Sequence, residues 1–162
     1  MDLNHLKNIS GFFVAGINYK KSDACVRGQY AINSDQYASV LHKAASMGLN
    51  ELFILSTCNR TEIYGFAMNA DQLIGLLCSE TAGGEEGFRG SAYVRSGQDA
   101  IQHLFNVGAG LDSQILGDYE IVGQLKTAAR FSKEAGFVGA FTERLVNSVL
   151  QASKLIKNNT EL

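Results

Sequence analysis

The stretch Leu52-Phe53-Ile54-Leu55-Ser56-Thr57-Cys58-Asn59-Arg60-Thr61-Glu62-Ile63-Tyr64-Gly65-Phe66-Ala67-Met68 decides how the chain folds. It opens with four apolar residues, a run short enough for a buried strand. A polar turn follows at Thr57–Arg60. The chain then resumes with β-formers at Ile63, Tyr64 and Phe66, which predicts a further strand over Thr61–Met68.

Working outward, Phe12-Phe13-Val14-Ala15-Gly16-Ile17-Asn18 predicts an earlier strand. Ser22 to Ile32 shows no clear period. Ser34 has the character of a helix N-cap, with Asp35 in the first turn and Tyr37, Val40, Leu41 and Ala44 at helical spacing before Gly48. After the central pair, Asp71–Ser79 predicts a helix and Thr81–Ser91, rich in Gly and Glu, a loop. Ala92–Arg95 predicts a fourth strand. Three helical patterns follow, over Asp99–Val107, near Ile115–Ala135 and near Val138–Asn158. The order β-α-β-β-α-β gives an α+β fold, a ferredoxin-like split βαβ sheet, followed by a helical region. The sheet part is expected over about 10–96 and the helical part over about 97–159, both within one domain spanning 1–162. A length of 162 residues suits one domain.

Composition excludes several classes. The chain is 46% hydrophobic and 19% charged, with a net charge of −2, which fits a globular protein and not a disordered one. No basic balance points to nucleic acid. Cys25, Cys58 and Cys78 make no CxxC pair, so neither a zinc site nor a disulfide framework is expected, and no metal is assigned. No apolar run nears the ~20 residues of a membrane span, and the start lacks signal-peptide character, so a cytoplasmic setting is expected. The motifs GxxxxGK[ST], HExxH and GxSxG are absent. Gly108-Ala109-Gly110-Leu111-Asp112-Ser113 imitates a dinucleotide fingerprint, but lacks its third glycine and follows a predicted helix instead of a strand.

Cys58 is the strongest chemical candidate. It sits on the turn between two strands, where catalytic side chains tend to lie. Arg60, two residues on, falls on the same face of an extended segment, and a guanidinium beside a thiol favours the nucleophilic thiolate. A small buried cysteine closing a strand is the competing reading. His103, on the predicted Asp99–Val107 helix, is the candidate acid/base partner, or a histidine with no role. Glu120 and Gln124 lie four apart and share a helix face.

The decapeptide Leu55–Tyr64, together with His103-Leu104-Phe105, Gly108–Ser113 and Leu116-Gly117-Asp118-Tyr119-Glu120-Ile121-Val122-Gly123-Gln124-Leu125-Lys126, resembles the glutamyl-tRNA reductase family. The resemblance runs from about Phe12 to the end and corresponds to that family's N-terminal catalytic domain. It implies that the family's NADPH-binding and dimerisation domains are absent, so the chain is expected to be a fragment. It also implies Cys58 as nucleophile toward the ester of glutamyl-tRNA, giving a thioester that NADPH, on the missing domain, reduces to glutamate-1-semialdehyde for tetrapyrrole synthesis. His103 matches the assisting histidine. Thr57, Asn59 and Arg60 match the glutamate pocket, and Ser113 and Gln124 fall on further substrate positions. For Arg60, binding a carboxylate and favouring the thiolate compete for one guanidinium. The family's usual Gly-Glu-Pro-Gln reads Gly117-Asp118-Tyr119-Glu120 here, which alters the contacts carried over to Asp118, Tyr119 and Glu120. Asn18–Asp23 likewise departs from the family's Ser-His-Lys-Thr-Ala-Pro. The family further implies a homodimer that passes product to glutamate-1-semialdehyde aminomutase. The alternative from another class is a non-catalytic ferredoxin-like module that binds a small ligand or a protein.

Overall fold

A computed structural model describes residues 8–112 and 120–160. A short 3-10 turn, Ile9–Gly11, leads into β1 (Phe12–Asn18). Then come α1 (Ala24–Gln29), α2 (Ser34–Ser46), β2 (Leu52–Ser56), β3 (Arg60–Phe66), α3 (Ala70–Ser79), α4 (Gly84–Ser91), β4 (Tyr93–Ser96), α5 (Gln98–Gly108), α6 (Glu120–Glu134) and α7 (Ala140–Thr160). The four strands form one antiparallel sheet in the order β2-β3-β1-β4. That order is the split βαβ arrangement: β3 lies between β1 and β2, and β4 closes the far side.

Each crossover carries two helices where the sequence pattern gives one. α1 has no apolar period and fully buries none of its side chains. α4 lies in the segment expected to be a loop. Gly84, Gly87 and Gly90 make it a poor helix by propensity, and tertiary contact overrides that. Phe88 is fully buried with its ring 5.2 Å from that of Tyr30, and the Tyr30 hydroxyl donates to the Gly84 carbonyl at 2.8 Å. A Cβ on Gly83 would meet the Tyr30 ring at 2.3 Å, so the close approach depends on that glycine. The N-cap of α2 is Asn33 and not Ser34. Its side chain accepts from the Gln36 N–H while the Gln36 side chain accepts from the Asn33 N–H, a complete capping box.

Strand alternation gives the sheet two apolar faces. Ala15, Ile17 and Ile63 pack with Leu41 and Ala44 of α2 and Leu73 and Leu77 of α3. Phe12, Val14, Phe53 and Tyr64 form the second face, covered by Ala100 and Leu104 of α5 and by Leu145, Val146 and Val149 of α7. The helices after β4 thus cover the face that a two-layer ferredoxin-like sheet would leave to solvent.

Helix α6 runs along the outer edge of β2 and contributes to both cores, Ile121 and Ala128 to the first and Leu125 to the second. Its buried face is Ile121, Leu125, Ala128 and Ser132. The Ser132 hydroxyl lies 2.5 Å from that of Tyr37. The Tyr37 hydroxyl also accepts the outward Ile54 N–H of β2 at 2.9 Å, and the Leu52 N–H donates to the Phe137 carbonyl. The edge strand is therefore closed to further pairing at both points. At the start of β2, buried Glu51 accepts from the Thr142 N–H (3.0 Å) and hydroxyl (2.6 Å) in the first turn of α7. A carboxylate there satisfies orphan helix donors and complements the helix dipole.

Candidate functional site

The turn after β2 is held from all sides. The Thr57 N–H donates to the Arg60 carbonyl at 2.8 Å and the Asn59 N–H to the Thr57 hydroxyl at 3.1 Å. The Tyr19 N–H donates to the Asn59 carbonyl at 3.0 Å, extending the β1–β3 pairing one step beyond Asn18↔Arg60. Cys58 stands exposed at the tip. Thr57, Cys58, Asn59 and Arg60 line a cleft of about 30 Å³ whose other wall is Glu120, Ile121 and Gln124 from the first turns of α6. The shared face expected of Glu120 and Gln124 thus meets the cysteine turn. A volume of that size is about one water's share of liquid, so an amino acid would have to widen it or approach the thiol from its solvent side. Gln124 also lines a neighbouring cavity of about 260 Å³ with Ser56 and Tyr37. A larger cavity, about 700 Å³, is lined by Ile9, Glu51 and Phe141 at the opposite ends of the strands.

Beneath the cleft lies a charged network that the sequence pattern had not singled out. Arg60, Glu62 and Tyr64 alternate along β3 and so share one face, opposite Asn18, Gly16 and Val14 of β1. Glu62 is fully buried. Its carboxylate accepts from the Tyr64 hydroxyl (3.0 Å) and the Tyr93 hydroxyl (2.5 Å), lies 3.6 Å from the Arg60 guanidinium, and is hydrogen-bonded by His103 Nε2. Burial alone would push the Glu62 carboxyl up, but the His103 hydrogen bond and the Arg60 charge outweigh it and hold it below the usual carboxylate range. Burial raises the Tyr64 and Tyr93 phenols, and the Glu62 charge adds to it. The network fits only because position 16 is glycine, since a Cβ there would meet Glu62 Cγ at 2.7 Å and the Tyr93 hydroxyl at 3.0 Å.

Arg60 itself is almost wholly buried, with 1% of its surface exposed. Its Nη1 donates to Asp112 Oδ2 at 3.0 Å and its Nη2 to the Asp112 carbonyl. Lys20 Nζ reaches the other Asp112 oxygen at 2.5 Å. Burial works against the charges of both Arg60 and Asp112. Glu62 overcomes it for Arg60, holding its pKa above the ordinary guanidinium value, while Lys20 and Arg60 hold Asp112 low. The fork expected beside the thiol is therefore engaged by two internal carboxylates.

Six of the expected residues, Thr57, Cys58, Asn59, Arg60, Glu120 and Gln124, come together around the cleft. His103 stands one carboxylate away, joined to Arg60 through Glu62. Ser113, Asp118 and Tyr119 lie outside the described residues. Glu62, Asp112, Lys20 and Tyr93 were missed. For Glu62 a signal existed, because charged residues two apart in an otherwise apolar strand must share a face and need partners.

The turn, cleft and buried carboxylate give an exposed thiol beside hydrogen-bonding side chains, and an imidazole oriented by a carboxylate. That set suits acyl transfer. Residues 15–160 match the family model described as "Glutamyl-tRNAGlu reductase, N-terminal domain". The glutamyl-tRNA reductase of Flavobacterium psychrophilum is 49% identical over the whole chain, which covers 39% of that protein. The Aquifex aeolicus glutamyl-tRNA reductase is 37% identical over 91% of the chain and 37% of its own length. The solved glutamyl-tRNA reductase from Methanopyrus kandleri superposes with a TM-score of 0.77 at 24% identity, over 93% of this chain and 35% of that one. The chain thus spans about two fifths of the curated relatives it matches.

Proposed function

The chain belongs to the glutamyl-tRNA reductase N-terminal domain family, and on that premise we propose that its Cys58 thiolate attacks the ester carbonyl of glutamyl-tRNA. The new S–C bond forms as the bond from the carbonyl carbon to the terminal ribose oxygen breaks. The products are a glutamyl thioester on Cys58 and free tRNA, whose ribose oxygen takes up a proton. The observation that carries the reading is an exposed thiol on the same cleft as Thr57, Asn59, Arg60, Glu120 and Gln124. His103, oriented by Glu62, assists proton transfer to the departing oxygen. Arg60 is the cation suited to the substrate carboxylate, since its planar fork can bind two oxygens. It can do so only by sharing or exchanging its Asp112 partner. Ser113, Asp118 and Tyr119 complete the substrate set in this reading.

Reduction of a thioester to an aldehyde needs a hydride donor, in this proposal NADPH. The described residues do not fit that cofactor: the sheet is antiparallel throughout, and Gly108–Gly110 closes helix α5 instead of following a strand. A homodimeric full-length enzyme in the cytoplasm, handing its aldehyde to glutamate-1-semialdehyde aminomutase, completes the proposal. Among the described residues no helix is long and apolar enough to cross a membrane.

The test is mass. After incubation with glutamyl-tRNA and quenching, a glutamyl adduct is expected on Cys58, followed by slow hydrolysis, with no aldehyde formed when NADPH is added to this chain alone. Absence of both the adduct and Cys58-dependent release of glutamate would favour the non-catalytic binding module. Aldehyde formed by this chain alone would contradict the assignment of reduction elsewhere. His103→Asn is expected to slow acylation by roughly 10²-fold while the chain still folds. An unchanged rate would remove His103 from the mechanism.

A further inference from the structure

Helix α1 contributes little to either core, yet it delivers one side chain to the cysteine turn. It spans six residues, is capped by Asp23, whose carboxylate accepts from the Val26 N–H at 2.8 Å, and fully buries none of its side chains. From its last turn, Arg27 Nε donates to the carbonyl of Cys58 at 3.0 Å, and Arg27 Nη1 donates to the Ser22 carbonyl at 2.5 Å. We propose that Arg27 is a positioning residue for the nucleophile, a clamp that fixes the Cys58 peptide to the segment after β1 and so aims the sulfur. This rests on the reading of Cys58 as nucleophile.

The argument is geometric. A turn carbonyl has no strand partner, and its direction is set by whatever donates to it. The Asn59 carbonyl is held by the Tyr19 N–H and the Arg60 carbonyl by the Thr57 N–H. The Cys58 carbonyl is held by a charged side chain, the stronger kind of donor. A planar guanidinium bonding two carbonyls in two segments also fixes the spacing between those segments. Lysine, a point charge on a flexible stem, would keep the cation but not the fork. Arg27 thus places its guanidinium on the cysteine's own peptide, whereas Arg60 is engaged by Glu62 and Asp112.

The experiment uses a Cys25→Ser background, because Cys25 is exposed and Cys78 buried, leaving Cys58 as the exposed thiol. Single-turnover transfer of labelled glutamate from glutamyl-tRNA is measured for this protein and for its Arg27→Gln and Arg27→Lys variants. Arg27→Gln is expected to lower the rate constant about tenfold, the scale of a small misplacement of a reacting group, with an unchanged half-saturating concentration. Arg27→Lys is expected to fall between the two. An unchanged rate constant in Arg27→Gln overturns the proposal, and so does a loss confined to half-saturation. If Arg27→Gln does not fold, Arg27→Lys decides: a reduced rate constant at native melting temperature supports the clamp, and an unreduced one overturns it. If the parent protein takes up no glutamate, the nucleophile reading itself has failed, and alkylation of Cys58 by iodoacetamide then tests the clamp. A several-fold slowing in Arg27→Gln that Arg27→Lys reverses only in part supports it, and equal rates, or full recovery in Arg27→Lys, overturn it.

Discussion

Replacing Cys58 by serine is expected to abolish transfer of glutamate from glutamyl-tRNA while leaving the fold intact. The side chain is exposed, so stability should change by no more than about 0.5 kcal/mol. The chemistry should change far more. A hydroxyl is a weak nucleophile unless a base takes its proton. Loss of a catalytic nucleophile costs roughly 10³-fold or more. The measurement is single-turnover uptake of labelled glutamate with the intact mass of the protein, beside a melting curve. An adduct that persists in Cys58→Ser would show that the acceptor is some other group.

The second large effect is on stability. Glu62→Ala removes the carboxylate shared by Arg60, His103, Tyr64 and Tyr93 and leaves a buried guanidinium with Asp112 alone. Breaking a buried ion pair from one side costs about 3–5 kcal/mol, which lowers the melting temperature by roughly 6–20 °C in a chain of this size. Glu62→Gln, which still accepts from the tyrosine hydroxyls, should lose less.

The pH dependence follows from the sign of the shift. The folded-state pKa of Glu62 lies below its unfolded value, and the same holds for Asp112. Their contribution is fully present above the unfolded carboxylate range, near pH 4–5, and is lost as pH falls through the lower folded values. Wild-type stability should therefore decline on acidification below about pH 5. Glu62→Gln should show a shallower decline in urea midpoint over the same window. A parallel decline in both proteins would remove Glu62 as a source of acid sensitivity.

Much of this arrangement was readable from the residues. Phe12–Asn18 and Leu52–Leu55 have no plausible fate but buried strands, and the ferredoxin-like order follows once the turn at Thr57–Arg60 is recognised. The helices α1 and α4 were not readable. The first lacks an apolar period, and the second is glycine-rich and holds together through Tyr30, more than fifty residues earlier in the chain. At the site, local sequence brought Thr57, Cys58, Asn59 and Arg60 together, and helical spacing added Glu120 and Gln124. It could not show that Arg60 would be taken up by Asp112, or that Arg27 would stand at the Cys58 peptide, because both partners come from segments without a repeating pattern.

The link between Glu51 and Thr142 has a reach beyond its own neighbourhood. With 21 residues at 1.5 Å each, α7 is a rod of about 30 Å, and Glu51 grips it at its root. A tilt of roughly 10° at that pivot would swing the distal tip by about 5 Å over such a length. One carboxylate at the foot of β2 thus sets the heading of anything fastened to the other end of the lever.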